Sequence, residues 1–250
     1  GSSRRELGRR ANEALRRVNL QRPFYLGVAE VSNAEFRQFR PAHAAGNFKG
    51  KSLNEEMMPA VNLTWEDAAL YCNWLSRRDG LPPFYLEKGG RVSGFDAASR
   101  GYRLPSEAEW AWAASVQADG TLARFGWGPS LPPPAKAGNF ADQSGATLLG
   151  SVIAGYDDGF AVAAPVRRFA PNRHGLFDLS GNAAEWVHDV YEALPAENRT
   201  DPLGTAVGEL HAIRGSSWRH GGVTELRLAF RDYGKEARAD LGFRLARYAD

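Results

Sequence analysis

The chain has 250 residues, 43% hydrophobic and 24% charged, with 31 basic and 29 acidic side chains for a formal net charge of +2. That length and apolar content support a sizeable core, as one large domain or two small ones. A charge so near balance leaves no footprint for nucleic acid or an anionic membrane, and no apolar run reaches the roughly 18 residues needed to span a bilayer.

Gly1-Ser2-Ser3 reads as an expression-tag remnant, which leaves room for a native leader or an upstream domain outside this sequence. Residues 4–22 are Arg-rich with Glu6 and Glu13 interleaved, so residues 1–21 read as a peripheral helix or linker and the domain proper as residues 22–250. Phe24 to Val31 reads as a strand. Ser32-Asn-Ala-Glu35 is a capping box opening a short helix with Phe36 and Phe39, which stops before Pro41. Residues 59–63 read as a second strand. Thr64, with Asp67 three positions on, caps a helix whose broad apolar face carries Ala68, Leu70, Tyr71, Cys72, Trp74 and Leu75. Cys72 is the single cysteine, so it forms no intrachain disulfide, reads as a small buried hydrophobe and leaves the compartment open.

Residues 79–101 read as irregular, and Ser106-Glu-Ala-Glu109 opens a third helix with Trp110, Trp112 and Ala113. Residues 119–171 are rich in Gly, Pro, Ala and Asp with little periodicity. A loop of that length needs something besides backbone ladders to hold it, and bound metal is one such device. The stretch from Asn172 to Trp186 sets Asp178, Glu185, an amide and two glycines in a turn-rich segment. Such a loop can supply the hard oxygen ligands that calcium takes, and can equally be a solvated turn. Short strands are expected at 212–214, 226–230 and 242–247.

In this order, Glu30-Val-Ser-Asn-Ala-Glu-Phe36, residues 59–68, residues 71–75 and Tyr102-Arg-Leu-Pro-Ser-Glu-Ala-Glu-Trp110 resemble the formylglycine-generating-enzyme (sulfatase-modifying factor) family. The likeness continues through Phe125–Gly128, Gly138–Phe140, Asp158–Phe160, Ala164–Val166, Gly175–Trp186, Arg214-Gly-Ser-Ser-Trp218 and Leu241–Arg244. It implies one α+β domain with a C-type-lectin-like core of short antiparallel strands, two main helices and much ordered coil. It also implies two structural calcium sites. The first would use the Asn139 side chain, the Phe140 carbonyl, the Asp158 side chain and the Phe160 carbonyl. The second would use Asp178, the Gly181 and Ala183 carbonyls, and Glu185. Hydrogen bonds or salt bridges without metal are the competing use of Asp158 and Glu185.

The family's oxidases bind copper through two cysteines. Aligned on Gly-Ser-Trp, those positions here hold His220 and Glu225, and a carboxylate and an imidazole do not replace a thiolate pair for soft copper. No copper and no formylglycine generation are therefore expected. His220 and Glu225 could work as an acid–base pair or bind another metal, and Ser217 stands where the oxidases use a serine. The plainer reading makes His220 an exposed loop residue, Glu225 a partner of Arg219, Arg227 or Arg231, and Ser217 a backbone hydrogen-bonder.

Two functional classes follow. The first is a calcium-stabilised module that binds a protein or peptide, in a longer bacterial protein; variable ligand-binding proteins and kinase-fused domains of similar fold support it. The second is a divergent enzyme acting on a peptide precursor, resembling the pyoverdine-maturation or non-haem-iron members, with His220 and Glu225 as its working groups. A structural domain of a cell-envelope assembly is a third.

Overall fold

Each expected cap starts a helix in the computed structural model, which describes residues 1–193, 197–205 and 207–249. Helix α1 (Asn33–Phe39) begins at Ser32, whose backbone N–H donates to Glu35 Oε2 at 2.8 Å. Helix α2 (Trp65–Arg78) begins at Thr64, bonded to Asp67 Oδ2 at 2.9 Å. Helix α3 (Glu107–Ser115) begins at Ser106, bonded to Glu109 Oε2 at 2.8 Å. Reciprocal caps of this kind are worth about 1 kcal/mol each. A short fourth helix, α4 (Val223–Leu226), starts at Gly222 with no side-chain cap.

The central sheet has four strands in the order 231–234, 211–214, 184–190, 241–243. Arg231–Gly234 runs antiparallel to His211–Arg214, which runs antiparallel to Ala184–Val190, while Leu241–Phe243 is parallel to that strand. The register sets Glu185 opposite Arg214 on one side and Gly242 on the other. Ala246–Tyr248 leaves the sheet to pair antiparallel with Phe24–Leu26. The main core lies between this sheet and α1 and α2. Phe36 stacks on Tyr71 at 5.4 Å between centroids, Tyr71 meets Phe243 edge-on at 5.5 Å, and Trp186, Ile213 and Cys72 are buried in the same cluster.

Several expectations are corrected. Residues 1–21 hold turns and a two-residue strand, Val18–Asn19, in place of a helix; the Glu6 and Glu13 carboxylates both reach across the chain to Arg227. The strand expected over 24–31 is confined to Phe24–Leu26, and residues 59–63 form none, meeting α1 through a Ser32–Pro59 bridge. Residues 79–101 contain a hairpin, Tyr85–Lys88 with Arg91–Phe95, turning on Gly89 and Gly90, both at positive φ (61° and 75°). Residues 226–230 belong to the end of α4 and a turn closed by Phe230 N–H on the Arg227 carbonyl, with the strand only from Arg231. The strand at 184–190 is buried from Ala184 through Asp189, so it has no apolar–polar alternation to betray it.

What holds the coil is a set of buried ion pairs. Arg103 pairs with Glu109 at 2.6 Å, Arg231 with Glu107 at 2.6 Å, Arg244 with Glu185 at 2.6 Å and Arg227 with Glu13 at 2.7 Å. Burial pushes Glu107 up, but Arg214 and Arg231 overcome it and hold the carboxyl below its usual range.

Candidate functional site in two loops and the strand end after Arg214

The first set of residues implied for calcium is brought together where the loop at 138–142 meets the loop at 178–183. Asn182 N–H donates to the Asn139 carbonyl at 2.8 Å, and Asn139 Nδ2 donates to the Val162 carbonyl at 2.9 Å and to Asn182 Oδ1 at 3.2 Å. Gly181 makes this approach possible. Its φ is +95°, and a Cβ there would lie 2.6 Å from the Asn139 carbonyl oxygen. Asp158 accepts from Phe140 N–H and Phe160 N–H, each at 2.9 Å, which ties both residues of that set to its carboxylate.

Two features of this set are those of a cation site. Asn139 Oδ1 is buried and has no hydrogen-bond partner, an expensive state for an amide oxygen. Asp158 lies beside Asp142, whose carboxylate accepts its backbone N–H. Burial, with Asp142 next to it, pushes Asp158 up to about 7. An orphaned acceptor and a crowded carboxylate pair both fit a hard cation.

The second set fits less well. Glu185 is fully buried, and its oxygens are taken by Arg244 Nε (2.8 and 3.0 Å), Arg244 Nη2 (2.6 Å) and Trp110 Nε1 (2.8 Å). Asp178 accepts Arg167 N–H at 2.7 Å, and burial pushes it up to about 6. Glu30, missed by sequence reasoning, joins them: it accepts Ala183 N–H at 2.8 Å and Asn182 Nδ2 at 2.9 Å. Burial, reinforced by Asp178 and Glu185, raises Glu30 well above the carboxylate range. Glu185 thus offers no free oxygen, because a guanidinium already answers its charge. Among the described residues no three His, Cys, Asp or Glu side chains converge as a metal cluster, so carbonyl and amide oxygens would have to contribute to any cation site.

Beyond Arg214 the chain turns through Ser217 and His220 into α4. Ser217 N–H donates to His220 Nδ1 at 3.0 Å, so that nitrogen is an acceptor and the ring proton belongs on Nε2. Ser217 Oγ donates to Asp240 Oδ2 at 2.8 Å and lies 3.3 Å from His220 Nδ1. In a nucleophilic triad the serine gives its proton to the histidine. Here it gives it to the carboxylate, so the serine is held, not activated. Burial lowers His220 below its ordinary value, against the opposing charges of Asp240 and Glu225.

His220 is half-buried and not the exposed loop residue of the plainer reading; its ring meets Phe230 edge-on at 6.1 Å. Glu225 sits in the first turn of α4 without the partners expected for it. Arg219 reaches Asp240, Arg227 holds Glu13 and Arg231 holds Glu107. Asp240, Asn182, Glu30 and Arg244 were all missed. Asn182 gave no sequence signal for its role, since that role depends on a positive φ of 60° which composition does not display.

A short-stranded α+β core, capped helices and coil tied together by Arg–Glu pairs, with a conspicuous turn after Arg-Gly-Ser-Ser-Trp, define a C-type-lectin-like domain of the formylglycine-generating-enzyme type. The chain belongs to the sulfatase-modifying factor enzyme 1-like domain family, whose model matches residues 1–249. It is 29% identical over 232 residues to the formylglycine-generating enzyme of Streptomyces coelicolor, covering 88% of this chain and 60% of that protein. It is also 29% identical over 174 residues to inactive C-alpha-formylglycine-generating enzyme 2 of Mus musculus, covering 68% of this chain and 41% of that protein. The chain therefore spans less than two thirds of the length of these relatives. Among solved structures, Treponema denticola variable protein 1 superposes with a TM-score of 0.72 at 26% identity, covering 90% of this chain and 84% of that one.

Proposed function

We propose that this domain generates no formylglycine and serves as a binding module for a protein or peptide segment. The observation that carries the reading is the closed arrangement at the positions of the family's copper cysteines. His220 turns Nδ1 onto the Ser217 backbone, Ser217 donates to Asp240, and the only thiol in the chain, Cys72, is buried in α2. Nothing in that set suits copper(I). The likeness to an inactive family member and to a variable protein supports the same reading.

Incubating the protein with copper(I), oxygen and a cysteine-containing sulfatase peptide tests the negative half: the peptide keeps its thiol and no aldehyde forms. Selection from a displayed peptide library tests the positive half: one motif is enriched and binds the purified domain saturably. Turnover dependent on His220, or stoichiometric iron or copper lost in His220→Ala, overturns the reading.

The same reading includes a calcium ion held by the Asn139 side chain, the Phe140 and Phe160 carbonyls and Asp158. It would cross-link residues 139–140 to residues 158–160 within the 119–171 coil. The Asp178, Gly181, Ala183 and Glu185 set is left without a metal, because Glu185 already serves Arg244.

A further inference from the structure

Residues 6–13 do not hang free. Glu13 and Arg227 are both fully buried and pair through two bonds of 2.7 Å, Glu13 Oε1 to Arg227 Nη2 and Oε2 to Nη1. Glu6 adds a third carboxylate contact to Arg227 Nη1 at 2.8 Å, and the Gly8 carbonyl accepts from Nη2 at 2.6 Å. Arg124 donates to the Leu7 carbonyl at 3.2 Å. Gly8 packs on the first turn of α4, where an added Cβ would lie 3.2 Å from Thr224 Cα. Arg10 stacks over Phe230 at 5.7 Å, the ring that also meets His220. The segment thus lies along the residues that flank His220 and Glu225. On the side toward α3 a cavity of about 1470 Å³ extends beneath it, bordered by Glu13, Leu15, Trp112 and Arg214.

We propose that the Arg227 slot beside α4 is a receptor for an acidic peptide segment, and that residues 6–13 fill it in cis. This rests on the binding-module reading and names the ligand class for it. A guanidinium buried at the floor of a slot selects a carboxylate bonded through both oxygens, as Glu13 is here, and a second carboxylate seven residues away reaches the same nitrogen as Glu6. A ligand takes the slot by presenting two carboxylates in that relation and lifting the segment into the space its own cavity leaves.

The probe is a labelled synthetic peptide of residues 4–17, with a control peptide carrying Gln at both Glu positions. Full-length Glu6→Gln/Glu13→Gln protein has a weakened plug. It binds the Glu peptide at least tenfold more tightly than the wild-type chain does, and the Gln peptide about tenfold more weakly, the scale of one charge-assisted pair. Hydrogen exchange on the wild-type chain needs no substitution: the Arg9 and Glu13 amides, bonded to the Glu6 and Arg10 carbonyls, exchange faster under excess Glu peptide and not under Gln peptide. Equal affinity for both peptides, or amides in 6–13 unmoved at saturating Glu peptide, overturns the proposal. A library-selected ligand that binds wild-type and variant proteins alike then leaves the module reading standing, while no saturable ligand at all removes both.

Discussion

Replacing Glu185 with Gln keeps the side chain's shape and removes the charge that answers Arg244. Glu185 receives two Arg244 nitrogens, Nε and Nη2, and the Trp110 indole, all buried. After the substitution Arg244 keeps only neutral acceptors, the Gln amide oxygen and the carbonyls of Gly27 at 3.0 Å and Phe177 at 2.8 Å. Removing one partner of a buried pair costs about 3–5 kcal/mol, because the other charge stays desolvated. In a domain of this size each kcal/mol moves the melting midpoint by about 2–4 °C, so the drop is on the order of 10 °C. Thermal unfolding of wild type and Glu185→Gln, each in calcium and in chelator, reads the purpose of that charge. If Glu185 serves Arg244, the penalty is the same in both conditions. A penalty present in calcium and absent in chelator refutes the argument, since chelation would already have stripped from the wild type whatever Glu185 held.

Asn139→Ala gives a different pattern: losing its Nδ2 bonds to Val162 and Asn182 destabilises the protein in both conditions, the penalty is larger in calcium than in chelator, and elemental analysis finds one calcium per wild-type chain and none per variant. Calcium at a hundredfold its dissociation constant adds about 2.7 kcal/mol by mass action, which sets the scale of the melting shift. Burial, aided by Arg103, pushes His188 down to about 3, and burial pushes His211, stacked on Trp65 at 3.8 Å, down to about 4. Both rings bind protons more readily unfolded than folded. Their contribution is therefore complete above about pH 6.5 and falls below it by about 1.4 kcal/mol per unit for each ring, until the folded values are reached. Nitrogen NMR at pH 5 shows both rings neutral; a midpoint near 6.5 for either contradicts its placement. Burial raises the Cys72 thiol far above its usual range, so it stays unreactive to a thiol reagent until the protein is unfolded.

The parts of this fold legible in sequence are those governed by local rules. The Ser32, Thr64 and Ser106 caps each fix a helix start through bonds spanning three residues. Strands were harder for a definite reason. Ala184–Val190 carries Glu185, His188 and Asp189 into the interior, so polarity there signals buried pairing and not solvent. The same inversion hid part of the site. The resemblance makes Asp178 and Glu185 calcium ligands, but the cation that answers Glu185 in the structure is Arg244, 59 residues later. Asp240, which holds Ser217, comes from 23 residues further along the chain, and Glu13, which holds Arg227, from 214 residues earlier. No periodicity reports pairings of that separation.

These long-range pairs also explain how such a domain can change its chemistry. Arg231–Glu107, Arg244–Glu185 and Arg103–Glu109 hold α3, the central sheet and the final strand together, and none of them includes Ser217, His220 or Glu225. A buried pair contributes little net stability, but it is severe on any arrangement that separates its members. That severity fixes the scaffold, while the segment from Ser217 to Glu225 is tied to it by Asp240 and by aromatic contact with Phe230. Substituting the metal-binding positions in that segment leaves every scaffold pair intact. A chain with no cysteine at those positions can therefore keep the fold, because no scaffold pair passes through that segment.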